Sequence, residues 1–115
     1  MDYDKLTDDR RGELSSAIRS RVETAREQQR QRFRDEARLQ CNADMGASDI
    51  RRFCQPELAG KQLLDTTLRR MQLSARAYHR ILKLSRTIAD LAGSETIQVA
   101  HIAEAIQYRP RKILY

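Results

Sequence analysis

Six basic side chains between Thr66 and Arg86 are the residues best placed to do chemistry, and the chemistry that they could do is phosphate binding. They are Arg69, Arg70, Arg76, Arg80, Lys83 and Arg86, and no aspartate or glutamate interrupts the segment. Arginine presents a planar fork of donors that matches phosphate oxygens. Arg76 follows Ser74, a favourable N-cap residue, and so falls in the first turn of a predicted helix. Backbone N–H groups and the helix dipole favour an anion there. From the residues alone, a phosphate ligand and a merely solvated arginine both remain open.

The charge of the whole chain favours an anionic partner without identifying it. Among 115 residues, 22 Lys and Arg outnumber 16 Asp and Glu, which gives a net charge of +6 at pH 7. Such a domain can bind nucleic acid, an anionic membrane or an acidic protein. No signal-peptide pattern opens the sequence, and no apolar run approaches the roughly 20 residues of a membrane span. We therefore predict a soluble cytoplasmic protein with no membrane partner.

Signals for catalysis and for metal binding are weak. The glycines stand at positions 12, 46, 60 and 93, too far apart for a GxxxxGK[ST] or GxGxxG phosphate loop. Cys41 and Cys54 form no CxxC pair, and without a secretory signal they are expected to be free core or surface thiols. His79 and His101 lie far from both in sequence. We expect no metal site, no cofactor held by this chain and no catalysis by the chain alone.

Apolar residues recur three or four positions apart along most of the sequence, which predicts an all-α bundle. It has four to five helices, and the first is unusually long. The predicted helices run from Glu13 to about Glu36, from a Ser48 cap to near Cys54, from Pro56 to Met71, from the Ser74 cap to Ala92, and from Val99 to the basic tail. Gly93 is placed to close the fourth helix, and Thr96–Gln98 is too short to count as a strand.

The same spacing predicts which faces are buried. In the first helix the apolar positions are Leu14, Ile18, Val22, Ala25 and Phe33. In the fourth helix the apolar face contains Tyr78, Ile81, Leu82, Ser85, Ile88, Ala89 and Ala92, and the solvent side contains Arg76, Arg80, Lys83 and Asp90. Residues 1–12 are dense in charge and lack periodicity, so on their own they are expected to be disordered or part of a preceding body.

Several phrases, in order, resemble one family. These are IRSRVETAREQQRQRF at 18–33, CNADMGASDIRRFC at 41–54, LSARAY at 73–78, RTIADLAGSE at 86–95 and HIAEAIQYR at 101–109. Together they resemble the C-terminal helical domain of magnesium-chelatase-like AAA+ ATPases, in the branch of the bacterial competence proteins (ComM-like and YifB-like). The resemblance extends from Ile18 to Arg109. The ordered combination is far more specific than any one phrase.

The resemblance implies a lid domain of the AAA+ type at 13–109, with 1–12 as the truncated end of the preceding ATPase core and 110–115 as a basic tail. In that family the core holds ATP and magnesium, and a sensor-2 arginine at the start of a lid helix reaches the ATP phosphates at a subunit interface. The matching residue is Arg76. The resemblance further implies two partners: the protein's own ATPase core and the neighbouring subunits of a hexameric ring. It also implies a role in DNA processing, in which ATP hydrolysis is coupled to domain motion.

Two other functions stay open. The first is a stand-alone basic helical module that binds nucleic-acid phosphates through Arg69, Arg70, Arg80, Lys83 and Arg86. Its affinity would need no ATP and would fall steeply with salt. The second is a protein-interaction adaptor that uses the long first helix.

Overall fold

A computed structural model of the chain describes the backbone of residues 2–108 and the side chains of residues 14–108. The described residues form five α-helices and one 3₁₀ helix, Asn42–Asp44. The α-helices are α1 (Asp2–Arg32), α2 (Ala47–Phe53), α3 (Leu58–Arg70), α4 (Ala75–Leu91) and α5 (Val99–Gln107). The predicted all-α class, the helix number and the long first helix are confirmed. The basic tail 110–115 lies outside the described residues, and of segment 1–12 no side chain is described.

Helix α4 is the centre of the bundle, because α1, α2 and α5 all pack against it, while α3 packs against α5. Its ends follow the sequence signals. The Ser74 hydroxyl accepts a hydrogen bond from the Ala77 N–H at 3.1 Å, and Gly93 has a φ of +71° just beyond the helix. Glycine takes that left-handed conformation without the steric cost of a Cβ atom. The bounds predicted for this helix are confirmed.

The bounds of α1 differ from the prediction at both ends. The helix begins at Asp2 rather than Glu13 and ends at Arg32 rather than near Glu36. After Arg32 the chain turns, and the Glu36 N–H donates to the Phe33 carbonyl at 2.9 Å. The turn directs Phe33 into the core, where its ring meets Phe53 edge to face with centroids 5.2 Å apart. The helix therefore ends where an aromatic side chain enters the core.

Two predicted helix starts are wrong by two residues each. Helix α2 is capped by Gly46 rather than Ser48, because the Asp49 carboxylate accepts the Gly46 N–H at 3.0 Å. That bond, with a smaller contribution from Arg38, holds the pKa of Asp49 below its usual value. Helix α3 begins after Pro56, which pairs instead with Ile97 in an isolated β-bridge. Ile97 is fully buried.

Part of the predicted core face is exposed. Leu14 is 56% exposed and Ile18 50%, so these two side chains of α1 contribute little to the core. The opposite error concerns Asp90, which was assigned to the solvent side of α4 and is fully buried. An isolated carboxylate cannot be buried cheaply, so Asp90 needs partners.

The partners of Asp90 form what we call the ion cluster, made of Arg32, Asn42, Arg86 and Asp90. Arg32 donates to both carboxylate oxygens of Asp90, at 2.6 and 2.9 Å. Arg86 lies 3.2 Å from the same carboxylate, and the Asn42 amide donates to it at 2.9 Å. The cluster joins α1, the 3₁₀ helix and α4 through charge-assisted bonds.

Both cysteines are free thiols, Cys41 at the surface and Cys54 in the core, as predicted. Burial raises the pKa of the Cys54 thiol to about 11. The thiolate is the reactive form, so Cys54 is unreactive near neutral pH.

Candidate functional site

The N-terminal half of α4 presents three of the six basic side chains that the sequence singled out, Arg76, Arg80 and Lys83. Arg76 is the second residue of the helix. The Tyr78 N–H bonds the Ser74 carbonyl at 3.0 Å, and this bond fixes the first turn. The local fold thus places the Arg76 side chain beside the positive end of the helix dipole, a position that repels cations and attracts anions.

Arg76, Arg80 and Lys83 line an open groove of about 460 Å³, which we call the basic groove. Their spacing of four and three residues puts them on one face of α4. The opposite wall is formed by Met45 and Gly46, which precede α2, and by Ala47 and Ile50 of α2. Met45 is buried, and its carbonyl accepts a weak bond from the Lys83 ammonium at 3.5 Å. The groove therefore has cations along one wall and backbone along the other.

The charges of the basic groove are not neutralised by acids of the described residues. None of the ion pairs found among those residues includes Arg76, Arg80 or Lys83. Asp44 is nearby, but its pKa is held below the usual value mainly by the backbone N–H groups of Gln40 and Cys41, with Lys83 the smallest contributor. Arg76 and Arg80 are exposed. An external polyanion would therefore meet three cations that form no ion pair among the described residues, although the Lys83 ammonium already donates to the backbone carbonyls of Ala43 and Met45.

The structure separates the remaining predicted contacts from this groove. Arg69 and Arg70 are exposed in the last turn of α3 and do not line it. Arg86 is only 5% exposed and donates to the carbonyls of Ser94 and Glu95 at 2.9 and 3.0 Å. Burial lowers its pKa, and Asp90 opposes that shift. Arg86 belongs to the ion cluster, so the expectation that it meets nucleic acid is corrected: its donors are turned inward.

Sequence reasoning missed the ion cluster as a whole. One signal was present, since Arg86 and Asp90 stand four residues apart, a spacing that brings charges together on a helix. The stronger partner, Arg32, is 58 residues from Asp90 in sequence. No local pattern indicates such a pairing.

No helix among the described residues has the length and apolar character needed to cross a bilayer. Among the same residues, no three His, Cys, Asp or Glu side chains are grouped as metal ligands would be.

Comparison with known proteins identifies the family. The model for the C-terminal region of magnesium chelatase subunit ChlI matches residues 12–109. The competence protein ComM of Haemophilus influenzae is 42% identical over 99 residues, which are 86% of this chain and 18% of that protein. YifB of Escherichia coli is 41% identical over 98 residues, 85% of this chain and 18% of that protein. YifB of Salmonella typhimurium is 35% identical over 99 residues, 86% of this chain and 19% of that protein.

The chain spans less than a fifth of the length of these relatives and matches their C-terminal domain. Because a family model covers most of its residues, the chain belongs to the family of magnesium chelatase ChlI C-terminal domains.

Proposed function

We propose that this chain is the lid domain of a cytoplasmic magnesium-chelatase-like AAA+ ATPase and that Arg76 contacts the phosphates of ATP held by the core. The observation that carries the proposal is the position of Arg76: exposed, in the first turn of a capped helix, and without an acidic partner among the described residues. Family membership supports the lid assignment. ATP and magnesium are bound by the parent protein in this proposal, and the chain alone is not an enzyme.

An arginine at this position can report whether the terminal phosphate is present. Its guanidinium fork bonds phosphate oxygens that ATP has and ADP lacks, so hydrolysis removes part of its ligand. The lid then loses a contact that held it against the nucleotide, and its rotation follows from that loss. We propose that the parent protein forms a hexameric ring. Lid rotations in that ring would move a substrate, and we propose that the substrate is DNA.

We expect Arg76→Ala in the parent protein to reduce ATP turnover about 10- to 100-fold, since hydrogen bonds to charged groups contribute about 1.5–3 kcal/mol. Turnover is measured on the purified parent protein, with circular dichroism to check folding. Arg80→Ala is the matched control because it removes an exposed cation one turn along the same groove, and it should retain most of the turnover. Unchanged turnover in Arg76→Ala would refute the proposed role.

The basic groove also supports a second candidate function, direct binding of nucleic-acid phosphates without ATP. This second function is supported by the three cations on one face of α4. It is also supported by Arg69 and Arg70, which are exposed at the end of α3. Each phosphate neutralised on duplex DNA contributes about −0.9 to the slope of log affinity against log salt. The Arg80→Ala, Lys83→Ala double variant should therefore reduce the slope by about 2 units if both residues contact phosphate. Absence of binding by the isolated chain at low salt would exclude this function.

A further inference from the structure

A histidine lines the basic groove together with the three cations, and neither proposed function assigns it a role. It is His79, which is half-buried on α4. It stands three residues after Arg76 and four residues before Lys83, with Arg80 next to it in sequence. Positions separated by three and four residues lie on one face of a helix. His79 is therefore placed between the cations of the groove rather than beyond them.

The chemistry of histidine adds something that arginine and lysine cannot supply. Histidine is the side chain whose charge ordinarily changes between about pH 5 and pH 8. Its neutral ring has one donor and one acceptor nitrogen, whereas the imidazolium donates from both. A phosphate is negatively charged and its oxygens accept hydrogen bonds, so a phosphate in contact with the ring favours the imidazolium. His79 can thus become a fourth cation when a phosphate occupies the groove.

No aspartate or glutamate among the described residues lines the basic groove. The 3₁₀ helix and α2 pack against α4, and their charged groups are Asp44, Asp49, Arg51 and Arg52. None of these four lines the groove. Both carboxylates bond to backbone N–H groups, Asp44 at 3.0 and 3.2 Å and Asp49 at 3.0 Å. An anion that faces the imidazolium inside the groove therefore has to come from a ligand.

The other neighbours of His79 add no negative charge to the lining. No residue of α1, α3 or α5 lines the basic groove. The ring of Tyr78 lies edge to face with the His79 ring, with centroids 6.0 Å apart. Burial raises the pKa of Tyr78, and the charge of Asp65 adds to that shift, so Tyr78 is uncharged where histidine titrates. Among the described residues, the lining around His79 consists of cations and uncharged groups.

We propose that the basic groove binds the phosphodiester backbone of nucleic acid with His79 as a pH-dependent contact, so that affinity rises as the pH falls. This inference rests on the second candidate function, direct binding of nucleic-acid phosphates. Arg76 and Lys83 are seven residues apart, or about 10 Å along the helix axis. One strand of duplex DNA presents a phosphate about every 3.4 Å of axis, so a bound strand has phosphates within the span that contains His79. The imidazolium takes its proton from solvent when the strand binds.

The test measures the affinity of the full chain for a short duplex DNA with hydroxyl ends, at about pH 8 and at about pH 5.5, the range in which histidine titrates. Phosphodiesters and paired bases keep their charge in this range, so a pH response belongs to the protein. Isothermal titration calorimetry follows binding without a label. One more ion contact at an exposed site should tighten binding about three- to fivefold at the lower pH. The slope of log affinity against log salt should become steeper by about 0.9.

Two variants of His79 isolate its charge. His79→Gln keeps a polar side chain that cannot gain a proton, so its affinity and salt slope should be nearly the same at both pH values. His79→Arg carries a permanent positive charge. At the higher pH it should therefore bind as tightly as the native chain binds at the lower pH.

His101→Gln is the matched control, because His101 is the only other histidine of the chain and does not line the basic groove. The His101 ring accepts the Gln98 N–H at 2.9 Å, and a glutamine at this helix position can accept the same bond. This variant should keep the full pH response. Circular dichroism checks that each variant is folded.

The outcomes separate this inference from the function on which it rests. An equal pH response in the native chain and in His79→Gln would overturn the inference and leave DNA binding by the groove in place. A His79→Arg chain that binds no more tightly than the native chain at the higher pH would also overturn it. Absence of DNA binding at both pH values would overturn the inference and the second candidate function together.

Discussion

Replacing Asp90 with alanine is expected to destabilise the fold by about 3–5 kcal/mol, the usual cost of removing one partner of a buried ion pair. Asp90 is fully buried and faces two guanidinium groups, those of Arg32 and Arg86, whose side chains are 14% and 5% exposed. Its removal leaves both positive charges without a counter-charge inside the protein. The Arg86 Nε is already a buried donor without a partner, so the cluster has little capacity to rearrange. Chemical denaturation followed by circular dichroism measures the loss.

A surface pair of nearly the same length provides the control. Arg30 and Glu27 are 2.7 Å apart, close to the 2.6 Å of Arg32 and Asp90, but their side chains are 60% and 55% exposed. Water already solvates both charges there, so Glu27→Ala should leave the denaturation midpoint within experimental error. If the two variants lost similar stability, burial would not be the reason for the importance of Asp90.

The second large effect is expected for Ile102→Ala in α5, which should cost about 2–5 kcal/mol. Ile102 has no exposed surface and belongs to the main core cluster. It also fits closely against α3, since a Cβ added at Gly60 would stand 3.3 Å from the Ile102 Cγ1 atom. The neighbours cannot readily collapse into the space that alanine would leave, so the cavity cost adds to the lost burial.

Val99→Ala is the matched control for Ile102→Ala, because both residues are β-branched and lie on α5, three positions apart. Val99 is 41% exposed, and its truncation should change stability by about 0.5 kcal/mol or less. Denaturant midpoints of the two variants provide the comparison. Equal losses at the two positions would show that burial against α3 and α4 is not what makes Ile102 important, because alanine has the higher helix propensity at both positions.

Local signals in the sequence were sufficient for the fold class and for placing Arg76, Arg80 and Lys83 on one face of α4. Ser74 and Gly93 define the ends of α4 because a cap and a left-handed residue act on the backbone next to them. The spacing of Arg76, Arg80 and Lys83 then places them on one face, since the helical period is fixed. These inferences need no knowledge of tertiary contacts, and for that reason they could be made correctly.

The errors concern residues whose surroundings come from distant parts of the chain. Asp90 was placed on the solvent side because charged residues are usually exposed, yet its partner Arg32 comes from α1. Arg86 was grouped with the phosphate contacts for the same reason. Leu14 and Ile18 carry the right period for a core stripe, but the core lies against the later turns of α1, where Ala25 is buried. Periodicity shows that a face is apolar, and packing decides whether it is covered.

The measurement that tests the central proposal most directly is the affinity of the parent protein for a non-hydrolysable ATP analogue and for ADP, with and without Arg76→Ala. If Arg76 contacts the terminal phosphate, the variant should lose about tenfold or more in affinity for the ATP analogue and little for ADP, since hydrogen bonds to charged groups contribute about 1.5–3 kcal/mol. Arg80→Ala should bind both nucleotides as the parent protein does. If Arg76→Ala bound both nucleotides with unchanged affinity, Arg76 would not be a nucleotide ligand and the proposed lid mechanism would be wrong.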